Sequence, residues 1–150
     1  MNLSQQTDLD RLRFRSMMPR EILILKAWLK DNLSKYDRAE FDVRVGTGTD
    51  PGPTFSQEMR SMWTRLTMQR IDALLWSGDE ATIVEVKDRA DGAAIGQLLL
   101  YGQLLQATYP SKPKPKLLLL ANSSQSDLHA ALQTAGATME LIPVNFSQLY

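Results

Sequence analysis

Asp72, Glu85 and Lys87 are the residues whose types and spacing could do chemistry in this sequence. Two alternating apolar runs, Arg70 to Trp76 and Ala81 to Lys87, flank Ser77-Gly78-Asp79-Glu80, the pattern of a β-hairpin that turns on Gly78-Asp79. A two-residue turn fixes the register. Opposed residues keep a constant sum of numbers, so Leu74 faces Ile83, Asp72 faces Glu85 and Arg70 faces Lys87. Opposed Cβ atoms lie roughly 5 Å apart and like charges there are destabilising, so Asp72 against Glu85 requires compensation. Arg70 and Lys87 could supply it at a solvated strand end. Alternatively, two convergent carboxylates make an oxygen site for a hard divalent cation, with Lys87 on the same strand face as Glu85.

Composition narrows the chemistry. The 150 residues contain no cysteine and one histidine, His129, which excludes disulfides, thiolate catalysis and cysteine-held zinc or iron–sulfur centres. Any metal must be held mainly by oxygen. The length suits one domain with a sizeable core. No apolar run is long enough to cross a membrane and the amino terminus lacks a secretory apolar segment, so a soluble, intracellular protein is expected, cytoplasmic or virion-associated. Seventeen basic and seventeen acidic residues balance, which argues against a protein that coats nucleic acid but not against one that touches it locally. Arginines cluster at Arg11, Arg13, Arg15 and Arg20 and again at Arg60, Arg65 and Arg70. Lys112, Lys114 and Lys116 alternate with prolines, as in a stiff surface loop.

These side chains need positioning elements. Residues 1–18 read as a basic, mobile arm, followed by a single domain over 19–150. Ile22, Leu25, Leu29 and Leu33 share a face, so a helix is predicted from Pro19 to Leu33, capped by Ser16 or a neighbour, with Glu21 favoured by the helix dipole. Phe41, Val43 and Val45 predict a half-buried strand. Gly46 to Ser56 is a long loop rich in glycine and proline, without the Gly-Lys-Ser/Thr of a phosphate-cradling loop. Gln57 to Gln69 reads either as a short helix, with Met59, Met62, Trp63 and Leu66 on one face, or as an extended lead-in. After the hairpin, Asp91 can cap a largely buried helix from Ala93 to Tyr109. Lys116 to Ala121 reads as a strand covered on both faces, parallel to the strand carrying Glu85. A helix capped by Ser124 or Ser126 and ending at Gly136, then a strand over Thr138 to Ile142, complete the chain. His129 falls on that helix, at the surface or in packing.

This order of elements, with Asp72 on one hairpin strand and Glu85-Val86-Lys87 on the other, resembles the PD-(D/E)XK nuclease superfamily, with Ile71 in place of the proline. Gln97-Leu98-Leu99-Leu100-Tyr101 is similar to the Gln-X-X-X-Tyr motif of its RecB-like exonuclease branch, and residues four apart share a helix face. The resemblance implies a mixed α/β, restriction-endonuclease-like αβββαβ core with a central mixed sheet flanked by helices. It implies catalytic Asp72, Glu85 and Lys87, and Mg²⁺ or Mn²⁺ held by Asp72, Glu85, the Val86 backbone carbonyl and Glu21. Gln97 and Tyr101 would steady the site, and Arg70, Arg65 and Arg60 would contact DNA. Hydrolysis of DNA phosphodiester bonds is the implied activity. The alternative is a catalytically weak or inert module of the same fold, serving structure or interaction in a phage particle or repair assembly. Under either reading a protein partner is expected to supply targeting.

Overall fold

The structure, a computed structural model, describes residues 9–149. It comprises α1 (Pro19–Asn32), β1 (Arg38–Val45), α2 (Gln57–Leu66), β2 (Gln69–Ser77), β3 (Glu80–Ala90), α3 (Gly92–Thr108), β4 (Lys116–Ser124), α4 (Leu128–Thr134) and β5 (Ala137–Leu141). The strands form one mixed sheet in the order β1-β2-β3-β4-β5. The β1–β2 and β2–β3 pairs are antiparallel, whereas β3–β4 and β4–β5 are parallel. The expected mixed α/β architecture is therefore present, with α2 inserted between the first two strands.

The leucine run of β4 shows why the sheet is covered on both faces. Leu117 and Leu119 enter the core beneath α3 and α4, and Leu118 and Leu120 enter the core beneath α1. On α1, Ile24, Leu25, Trp28 and Leu29 are buried. On α3 only the stripe Ala94, Leu98, Tyr101 and Leu105 is buried, at spacings that return to one helix face. The expectation of a largely buried α3 is thus too broad, since Leu99 and Leu100 are 45% and 43% exposed.

The helix starts separate correct from incorrect expectations. Asp91 caps α3, its Oδ1 accepting the Ala93 N–H at 3.1 Å, and Ser56 Oγ caps α2 by accepting from Met59 N. Ser16 does not cap α1. Met18 is the N-cap residue, and its N–H donates to Glu21 Oε2 at 2.9 Å. For α4 neither Ser124 nor Ser126 is the cap. Asp127 holds that position at φ 65°, with no side-chain capping bond.

Of the expected N-terminal arm, residues 1–8 lie outside the described residues. Residues 9–17 are held against the domain because they bury apolar surface: Leu9, Leu12 and Phe14 pack on the α1 core, and Met17 is buried within it. Phe14 meets Phe41 of β1 edge to face at 5.1 Å. Helix α2, left open by the sequence, buries none of its residues, and Met59, Met62, Trp63 and Leu66 of its apolar face are each about half exposed. The loop before it is fastened to it by an Asp50–Arg60 ion pair and by Thr67 Oγ1, which accepts the Thr49 N–H.

Candidate active site

The hairpin register holds from Ser77↔Glu80 to Ala73↔Val84, with Gly78 at φ 58° in the turn. It then stops. The expected pairs Asp72 with Glu85, Ile71 with Val86 and Arg70 with Lys87 are absent from the ladder. In a continued ladder the Val86 N–H would go to the Ile71 carbonyl, because alternate pairs exchange both bonds. Instead it donates to Asp72 Oδ2 at 2.8 Å.

The cause lies one strand further out. The β1–β2 pairing skips one step, Asp42 and Asp72, between Phe41↔Ala73 and Val43↔Ile71. Asp42 has φ 52°, a left-handed conformation that aspartate tolerates better than most residues. Across this step the alternation reverses. Phe41 and Ala73 pack in the α1 core, yet Val43 and Ile71 pack in the α3 core, where unbroken alternation would not put them. The Asp42 carboxylate anchors the irregularity by accepting the N–H groups of Arg15 (2.8 Å) and Ser16 (3.3 Å) and the Ser16 hydroxyl.

Where the strands part, a cavity of about 440 Å³ opens. Asp72, Glu85, Val86, Lys87, Gln97 and Tyr101 all line it, as does Glu21. The structure therefore brings together the residues singled out on β2, β3, α1 and α3. Lys87 Nζ lies 3.2 Å from Glu85 Oε1; the Glu85 side chain is 4% exposed and that of Lys87 28%. Glu85 Oε2 and Gln97 Oε1 are buried without a hydrogen-bond partner among the described residues. Gln97 Nε2 donates to the Tyr101 hydroxyl over 3.4 Å.

Burial first, and then the neighbouring charge of Asp72, pushes the Glu85 carboxyl well above the ordinary carboxylate range, against the opposing pull of Lys87. Asp72 is raised too, chiefly by burial, with the Val86 N–H acting against it. Tyr101 is pushed up to about 12, by burial and then by Glu85 and Asp72, so at neutral pH it remains a neutral phenol able to donate. Two desolvated carboxyls side by side, one with an unsatisfied oxygen, are costly unless something cationic joins them.

That donor set is all oxygen and fits a hard divalent ion. Among the described residues no group of three His, Cys, Asp or Glu side chains forms a metal cluster. Asp72 and Glu85 stand as a pair, and one oxygen of Glu21 is already engaged at the start of α1.

The arginines divide. Arg70 lines the cavity. Arg60 is committed to Asp50 through Nε at 3.0 Å and Nη2 at 2.6 Å. Arg44 was missed as one polar residue of a half-buried strand. Its position opposite Arg70 depends on the β1–β2 register, which no turn motif announces, since α2 intervenes.

No family profile matches the chain, and no curated protein matches it. Solved structures do. A repair endonuclease from Pyrococcus abyssi matches with TM-score 0.52 and 14% identity, over 87% of this chain and 49% of that one. EndoMS in a dsDNA complex matches with TM-score 0.50 and 16% identity, over 90% and 50%. EndoMS in apo form is 26% identical over 47% of this chain and 33% of its own, with TM-score 0.41. At 14% and 16% identity the likeness to the first two establishes the fold alone, a mixed sheet flanked by helices that this chain shares with them. The chain spans about half the length of the two structures it matches over most of its own length. Among the described residues no helix is long and apolar enough to cross a membrane.

Proposed function

We propose that this chain is a Mg²⁺- or Mn²⁺-dependent nuclease of PD-(D/E)XK type that hydrolyses DNA phosphodiester bonds in the cavity between β2, β3 and α3. The observation that carries the reading is Glu85. It is buried beside Asp72, keeps one oxygen unpartnered and holds Lys87 at 3.2 Å, an arrangement that stability alone gives no reason to keep.

Asp72, Glu85 and the Val86 carbonyl would hold the ion, with Glu21 as a further ligand. When bound, the ion supplies charge neutralisation at the nonbridging and leaving oxygens of the phosphodiester. The Asp72–Val86 bond fixes the orientation of one carboxylate before any ligand arrives. Lys87 orients or deprotonates the attacking water and offsets the negative charge that grows on the phosphorus centre. The water oxygen forms the new P–O bond as the leaving oxygen departs. Tyr101, held as a phenol, and Gln97, in the manner of the RecB-like motif, steady Glu85 or a phosphate oxygen. Arg70 and Arg65 contact the DNA backbone, and Arg60 supports the loop instead. The protein works inside the cell or in a virion, and a partner protein supplies targeting.

The exposed apolar face of α2 favours a second reading, in which the fold is an inert interaction module. Cleavage separates the two. Purified protein incubated with linear, nicked and single-stranded DNA should cut at least one of them in Mg²⁺ and none in EDTA. An inert protein in both conditions would favour the module.

A further inference from the structure

We infer that Arg44 and Arg70, flanked by Arg65 and Arg15, form a notch that binds one phosphate of a nucleic-acid backbone next to the phosphate being cut. The inference rests on the nuclease reading for the source of the phosphate. The notch itself rests on the geometry of β1 and β2.

Arg44 and Arg70 are directly opposed in the β1–β2 register. Opposed side chains start roughly 5 Å apart, so two guanidinium groups there repel unless an anion lies between them. Arg44 Nε is buried and has no hydrogen-bond partner among the described residues. Burial, then the charge of Arg70, lowers the pKa of Arg44; Arg65 and Arg15 act in the same direction, and Asp42 is the one acid opposing them. Asp42 is a poor counter-ion because its carboxylate already takes the N–H groups of Arg15 and Ser16 and the Ser16 hydroxyl. A chain that builds like charges around a buried donor, with its one nearby acid already engaged elsewhere, leaves room for an external anion. The planar guanidinium fork matches phosphate oxygens two at a time.

Position decides which phosphate. Arg70 is two residues before Asp72 on β2, about 7 Å along the strand, and lines the same cavity. That separation is of the order of the spacing between neighbouring phosphates on one strand. A strand threaded past Asp72 and Glu85 therefore sets its next phosphate against Arg70 and Arg44.

The test measures binding in EDTA, where cleavage cannot interfere. Fluorescence anisotropy of a labelled single strand and of a duplex is followed with wild type, Arg44→Gln and Arg44→Lys over about 50–200 mM salt. Arg44→Gln should bind about tenfold more weakly and show a salt slope smaller by about one, as for one lost phosphate contact. Arg44→Lys should keep the slope and lose part of the affinity. Thermal melts give the second readout. Without anion, Arg44→Gln should melt at or above wild type because the facing repulsion is gone. Inorganic phosphate at matched ionic strength should raise the wild-type melting temperature and leave the variant's unchanged. Unchanged affinity and slope in Arg44→Gln would overturn the notch while leaving the nuclease reading intact. So would a variant that melts well below wild type without anion, which would make Arg44 a structural residue. Stabilisation of wild type by phosphate, lost in Arg44→Gln, in a protein that binds neither oligonucleotide would keep the notch and overturn the nucleic-acid source.

Discussion

Asp72 Oδ2 accepts the Val86 backbone N–H at 2.8 Å, taking the place that the Ile71 carbonyl would hold in a regular hairpin. One side chain thus ends the β2–β3 ladder, and the same carboxylate is left beside Glu85 in the cavity that the parting strands create. Structure and site share a cause: the skipped Asp42–Asp72 step on the β1 side moves Ile71 into the α3 core and frees Asp72 from backbone alternation.

Replacing Asp72 by Asn should act in opposite directions with and without divalent ions. Asparagine keeps an oxygen acceptor for Val86 and removes a charge next to Glu85, so apo stability should hold or rise by roughly 0.2–1 kcal/mol. In wild type, a hundredfold excess of ion over its dissociation constant should add about 2.7 kcal/mol, and the variant should lose most of that increment. Melts of both proteins in EDTA and in Mn²⁺ or Mg²⁺ measure it. A variant destabilised equally in all conditions would show that Asp72 serves only the fold.

The pH dependence follows from the raised carboxyls. A carboxyl whose value is higher folded than unfolded binds more protons in the native state, so stability falls as pH rises through that window. For Asp72 and Glu85 the window opens near the unfolded value of about 4 and closes at the raised native ones. Apo protein should lose stability across it, and Asp72→Asn or Glu85→Gln should flatten the slope. Saturating divalent ion should reverse the slope, because only the ionised pair binds it well. Denaturant titrations in EDTA at several pH values provide the check, and stability rising with pH in the apo protein would contradict the assignment.

Gly48 is the loop position that admits no side chain. It has φ 64°, and an added Cβ would meet the Thr64 carbonyl oxygen at 1.9 Å. Gly48→Ala should cost at least about 1–2 kcal/mol from backbone strain alone, or about 2–4 °C of melting temperature per kcal/mol at this chain length. It should also loosen the seat of α2, raising proteolysis between Gly46 and Leu66. A variant that melts with wild type and is cut no faster would show that the loop rearranges freely.

Much of this was legible in the sequence wherever local rules decide the outcome. Gly78-Asp79 defined the upper hairpin register, Asp91 capped α3, and four consecutive leucines marked a strand covered twice. Period-two reasoning failed at Asp72, because the reversal is imposed by Asp42, whose conformation is held by Arg15 and Ser16 some 26 residues away in sequence. Ser16 failed as a helix cap for the same reason, its hydroxyl and N–H being spent on that carboxylate. Gln97 and Tyr101 line the same cavity as Glu85, a convergence that only the family resemblance implied, since no local pattern ties a face of α3 to a face of β3. Arg44 escaped notice because its partner Arg70 lies across a strand pair separated in sequence by a loop and α2.

The most direct measurement compares cleavage by wild type and Lys87→Ala, purified in parallel, on the DNA that wild type cuts in Mg²⁺. Lys87 touches Glu85 and lines the cavity without entering the apolar cores, and without it the Glu85 carboxyl can take up a proton as its raised value allows. The variant should therefore fold and bind DNA in EDTA as wild type does. Its cleavage rate should fall by about 10²–10⁴-fold, the range for loss of a positioned proton-transfer group. Cleavage by Lys87→Ala at the wild-type rate would contradict the placement of the chemistry between Asp72, Glu85 and Lys87.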